Sequence, residues 1–78
     1  MFKRGDICIH NDNVGKWVVY DDETCLGTGE TLHITEHNLV VEVVSVYFNK
    51  IYYWIPSYQK FSFSDDIYLT PLVPNANV

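Results

Sequence analysis

Cysteine is scarce in this 78-residue chain, with only Cys8 and Cys25. Small secreted scaffolds usually carry about four to eight. Two cysteines are read here as reduced, partly buried thiols, and they fall short of a structural zinc set. No run of about 18 apolar residues occurs, so no helical membrane span is expected. The opening MFKRGD has charge but no apolar stretch of the kind a secretory leader needs, and a cytoplasmic location is the expectation. Basic residues are few: five Lys and Arg stand against ten Asp and Glu, for a net charge of −5. That sign repels phosphate backbones and disfavours non-specific nucleic-acid binding. The acids gather at Asp21-Asp22-Glu23 and Asp65-Asp66. Such clusters read as solvated loops, and the first also suits contact with a basic partner. Heptads, helical periodicity and internal repeats are all missing.

β-Branched and aromatic residues are present in quantity, and they favour strands. DICIH (6–10), KWVVY (16–20), TLHIT (31–35), LVVEVVSVYF (39–48), IYYWI (51–55) and IYLTP (67–71) read as strands. Turn chemistry separates the first two at NDNVG. Pro56 stops the fifth, because proline offers no ladder donor. The following PSYQKFSFSDD reads as a loop with one helical turn near Phe61 to Ser64. Five or six short strands in so few residues predict a small all-β barrel or sandwich, and a barrel has the advantage of hiding strand edges. The domain is placed at residues 1–72, with 73–78 as a tail.

The stretch VYFNKIYYWIP carries Tyr47, Phe48, Tyr52, Tyr53 and Trp54. With Asn49-Lys50 as a two-residue turn, Phe48 pairs with Ile51, Tyr47 with Tyr52, Val46 with Tyr53, Ser45 with Trp54 and Val44 with Ile55. Alternation then gives one apolar face of Val44, Val46, Phe48, Ile51, Tyr53 and Ile55. The opposite face holds Ser45, Tyr47, Tyr52 and Trp54, three aromatics where polar residues normally sit. Either another segment, such as the loop around Phe61 and Phe63, covers this face, or it is an exposed patch that binds a partner. A one-residue slip in register would exchange the two faces.

No catalytic constellation emerges. HITEH (33–37) matches the H-x-x-E-H pattern of inverted zinc proteases, but its flanks are strand-like. On a strand His33 and His37 lie roughly 13 Å apart, too far for one metal. GTGE (27–30) lacks the Lys-Ser/Thr and following helix of a phosphate-binding loop and reads as flexible. Cys25 follows three acids, which raise a thiol pKa and weaken a nucleophile. Asp65 and Asp66 are adjacent and point apart on an extended segment. No cofactor or metal is expected. Tyr47, Tyr52 and Trp54 could stack nucleobases, but only Lys50 shares their hairpin.

FKRGDICI (2–9), VVSVYFNKIYYWIP (43–56) and FSFSDDIYLTPL (61–72) resemble the opening segment, central hairpin and closing turn-plus-strand of small SH3-like barrels, including the KOW and Tudor-like groups. The acidic-aromatic opening and paired tryptophans of proline-peptide-binding signalling domains do not occur. Short acidic one-domain chains of this style also resemble bacteriophage accessory proteins. The resemblance implies binding to, and inhibition of, a host protein. The expectation is a five- to six-stranded SH3-like barrel that binds another protein without catalysis. Tyr47, Tyr52 and Trp54 form its apolar anchor, and Asp21, Asp22 and Glu23 steer a basic partner. A nucleic-acid binder using the same aromatics is the alternative, and self-pairing of the patch would give a homodimer.

Overall fold

The computed structural model describes residues 2–72, so the expected tail at 73–78 lies outside it. Seven strands follow one another: β1 (Ile7–His10), β2 (Gly15–Val19), β3 (Glu30–Ile34), β4 (Leu39–Tyr47), β5 (Lys50–Ile55), β6 (Lys60–Asp65) and β7 (Leu69–Pro71). A single 3-10 turn at Asp66–Tyr68 precedes β7. The fold is all-β, as the β-branched and aromatic content requires.

The strands form two antiparallel sheets rather than the closed five- to six-stranded barrel expected. One sheet runs β6-β5-β4-β1-β7 and the other is the β2-β3 hairpin. They touch where Tyr20 and Phe61 exchange backbone hydrogen bonds of 2.8 Å, next to the end of β2. Among the described residues no ladder joins β3 to β7, so the sheet does not close on itself.

Alternation places the core. Val19, Ile34, Leu39, Val41, Val43, Ile51, Tyr53, Ile55 and Leu69 point inward with Cys8, and each is buried. On β5 the expected inward set of Ile51, Tyr53 and Ile55 is found. On β4 it is not. The turn sits at Phe48-Asn49, since Tyr47 pairs with Lys50 and Val46 with Ile51. A bulge at Val44 then moves Val43, not Val44, opposite Tyr53. A bulge spends one residue without a partner and exchanges the faces beyond it. Val46 and Phe48 were expected in the core: Val46 keeps the face of its partner Ile51 but is 39% exposed near the hairpin end, and Phe48 falls in the turn, exposed to 83%.

Two further corrections concern the segment after Pro56. It turns over 56–59 and enters strand β6 rather than a loop, and the helical turn lies at 66–68 rather than near Phe61 to Ser64. The apolar members of β6, Phe61 and Phe63, face outward, while Ser62 is buried and donates to the Val18 carbonyl at 3.0 Å. Serine inside and phenylalanine outside inverts the usual strand pattern, which hid β6 in the sequence.

One buried polar side chain ties the loops of the two sheets together. Asn13 donates through Nδ2 to the Glu36 carbonyl and accepts at Oδ1 from the Leu39 amide at 3.2 Å. It is 2% exposed. Asn13→Ala strips both backbone groups of their partner and should lower unfolding free energy by about 2–3 kcal/mol. Urea unfolding checks this; a loss below about 0.5 kcal/mol would mean the Asn13 bridge is replaced by solvent.

Candidate functional site

Because Ile51, Tyr53 and Ile55 fill the inner face of β5, Tyr52 and Trp54 must stand on the outer one. The β5–β6 register sets Tyr52 opposite Phe63 and Trp54 opposite Phe61. The ring centroids lie 5.0 Å and 4.7 Å apart, respectively, both within aromatic contact range. Tyr20 extends the row, with its ring 6.4 Å from Phe63. The result is an aromatic ladder on the outside of the sheet. Neither Tyr52 nor Trp54 packs against the core cluster.

Tyr47, the third expected anchor, is 65% exposed and sits at the hairpin tip. Its ring meets Phe48 edge-on at 4.6 Å, not Tyr52. Phe48 adopts a left-handed backbone with φ of 56°, a conformation that costs a bulky residue about 1–2 kcal/mol. The structure thus splits the expected trio between ladder and tip. It also adds Phe61 and Phe63, which a loop reading of 56–66 left out.

The acidic cluster has internal partners. Asp21 pairs with Lys60 at 2.6 Å, and Lys60 also reaches Glu30 at 3.1 Å. Glu23 lies 3.9 Å from Arg4. Asp22 accepts from the Thr24 hydroxyl at 2.7 Å and its amide at 3.4 Å. Those bonds hold the Asp22 carboxyl below its ordinary pKa. Among the described residues, Asp22 alone of the three has no basic partner. The loop is anchored as well: Cys25 is buried within it, and a Cβ at Gly29 would come within 2.3 Å of Val18 Cγ1. A segment read as flexible is therefore fixed against β2 at one end.

Next to the ladder, Phe63 also borders a cleft of about 450 Å³ between β2, β6 and the 3-10 turn. His10 forms its floor with Tyr53. The imidazole is buried, its plane 6° from the Tyr68 ring at 5.7 Å, and its edge meets Trp17 at 4.6 Å. The Asp12 amide donates to His10 Nδ1 at 3.3 Å, which leaves the proton of the neutral ring on Nε2. Burial pushes the His10 pKa down, against the opposing pull of the Asp12 carboxylate. Burial likewise raises the Tyr53 phenol, although the nearby Ser62 and Ser64 hydroxyls act the other way. The Ser64 contact falls outside hydrogen-bond geometry, so its buried Oγ has no partner among the described residues. This cleft had no signal in the sequence, because its walls come from five separate segments.

Comparison settles no family. No protein-family model, curated protein or solved structure matches this chain.

The remaining motifs stay apart. His33 is exposed on β3 and His37 in the bend after it. Among the described residues no three His, Cys, Asp or Glu side chains stand close enough to hold a metal. Cys8 and Cys25 are free and buried. Among the described residues no helix is long and apolar enough to cross a membrane.

Proposed function

We propose that this chain is a non-catalytic module that binds another protein through its outer aromatic ladder. The observation that carries the reading is the set Tyr52, Trp54, Phe61 and Phe63, rings in contact outside the core on the outer sheet face, three of them half-buried and Phe63 exposed. Aromatic rings held by a rigid sheet give large apolar contact area at little entropic cost, and such residues dominate binding hot spots. Tyr47 and Phe48 extend the contact at the tip, where strain and exposure together work against stability and in favour of recognition. Asp22 is the carboxylate best placed to steer a basic partner, with Asp21 and Glu23 partly neutralised by Lys60 and Arg4.

An open SH3-like arrangement fits this role. In its support, β1 lies between β4 and β7, consecutive strands β4, β5 and β6 are neighbours, and a 3-10 turn precedes the final strand. The partner is a host protein if the chain follows the phage accessory proteins it resembles.

Affinity capture from a host lysate, followed by titration with the purified partner, tests the proposal. Trp54→Ala should weaken that binding by at least about 30-fold, the scale of a hot-spot deletion. Its cost to folding should stay below about 3 kcal/mol, because the half-buried ring loses the Phe61 contact and partial burial without emptying a core site. Weakening that tracks salt steeply would instead mark a phosphate contact and favour nucleic acid. A loss of stability of about 3–5 kcal/mol would mark Trp54 as core and remove the ladder as a docking face.

A further inference from the structure

The cleft beside the ladder is a second and independent feature. Its volume lies within the range of small-molecule sites, roughly 300–1,000 Å³. Trp17, Tyr20, Tyr53, Phe63 and Tyr68 supply aromatic surface on several sides. Two polar groups, from His10 and Asp12, open on it. His10 Nε2 carries the ring proton, since Nδ1 already accepts from the Asp12 amide. Nε2 bonds none of the described residues. Among them Ser64 Oγ is the one buried side-chain N or O atom without a partner, so Nε2 opens on the cleft. Asp12 brings a carboxylate to the same lining.

These groups restrict the ligand. Among the described residues neither Lys nor Arg lines the cleft, and the chain carries a net charge of −5, so a phosphate or carboxylate would find no counter-charge among them. Aromatic walls favour a flat ring. A simple organic cation would satisfy the walls and Asp12 but would face the His10 Nε2–H, a donor, with nothing to accept it. An uncharged heteroaromatic ring bearing an amino group next to a ring nitrogen satisfies both, with its amine toward Asp12 and its ring nitrogen toward His10.

From this arrangement we infer that the cleft between β2, β6 and the 3-10 turn binds a neutral amino-substituted heteroaromatic ring of the adenine type. Tyr68 and Trp17 stack on it, Asp12 accepts from its amine, and His10 donates to its ring nitrogen.

Adenosine, inosine and tetramethylammonium are suitable probes, titrated into the ¹⁵N-labelled chain and followed by NMR. Adenosine should give saturable shifts centred on Asp12, the Trp17 indole, Ser64 and Tyr68. Inosine, which presents a carbonyl and a ring N–H in place of the amine and ring nitrogen, should bind at least about tenfold more weakly, the effect of one mismatched buried pair. Asp12→Asn, a surface substitution that keeps the amide bond to His10, should narrow that preference without abolishing it, since the His10 Nε2–H still opposes the ring N–H of inosine. The inference is overturned by any of three results. One is no saturable shift with adenosine up to about 10 mM, where binding free energy falls below roughly 3 kcal/mol. The second is equal affinity for adenosine and inosine. The third is tighter binding of tetramethylammonium than of adenosine, which would make the cleft a cation site.

Discussion

Tyr53→Ala is expected to lower unfolding free energy by about 3–5 kcal/mol, the usual cost of emptying an aromatic site in a core. Tyr53 is 1% exposed and the bulkiest of the fully buried side chains. It stands at the centre of β5, opposite Val43 on one side and Ser62 on the other, and its ring approaches Trp17 at 6.1 Å. Its loss would therefore open a void where the five-stranded sheet meets the β2-β3 hairpin. A chain of this size has only about 5–10 kcal/mol of stability in total, so the variant should lose roughly half of it and unfold at a markedly lower urea concentration. Tyr53→Phe keeps the ring and removes only the hydroxyl, and should cost less than about 1.5 kcal/mol. Urea midpoints by circular dichroism measure both. If Tyr53→Ala unfolds within about 1 kcal/mol of the parent chain, the hairpin and the sheet are not packed through this residue.

How much of this was legible depends on where side-chain periodicity was honest. In β5 the inward Ile51, Tyr53 and Ile55 alternate with outward residues, and the sequence reading and the fold agree. In β4 two local effects defeated it. Phe48 accepts a left-handed conformation that favours glycine or asparagine, so the turn falls one residue earlier than Asn49-Lys50. The Val44 bulge then exchanges the faces, and no propensity scale marks a valine as a bulge site. In β6 the inward position is Ser62, held by the Val18 carbonyl, a tertiary contact invisible to local sequence. The ladder was consequently half-read: Trp54 and Tyr52 were placed correctly on the outer face, while their partners Phe61 and Phe63 went to a loop. The His10 cleft was out of reach, because its polar groups are brought together only by the crossing of β1, β2, β6 and the 3-10 turn.

Alkaline pH should unfold the domain, and the sign follows from burial. Three groups that are neutral when protonated sit in the interior: Cys8, Cys25 and Tyr53. Desolvation raises all three, the Cys25 thiol from 9.0 to about 11. A group whose pKa is higher folded than unfolded contributes its full stability below the unfolded value. That contribution fades as pH rises from there through the folded value, because the unfolded chain ionises first. For Cys25 the window runs from pH 9 to about 11, and the loss approaches about 2–3 kcal/mol. Tyr53 and Cys8 act in the same direction, so the unfolding free energy should fall continuously above pH 9. The loop acids were the expected cause of a raised Cys25 pKa, but burial is the larger cause and Asp22 the lesser. The two causes separate experimentally. Asp22→Asn should leave most of the alkaline loss in place, whereas Cys25→Ala, which has no thiol to ionise, should make the profile shallower between pH 9 and 11, leaving only the Cys8 and Tyr53 share. Urea midpoints at pH 8, 9.5 and 11 for the three chains decide between them. A parent midpoint that stays level across this range would show that the Cys25 thiol reaches solvent, and would detach the 21–29 loop from the core against which it is packed here.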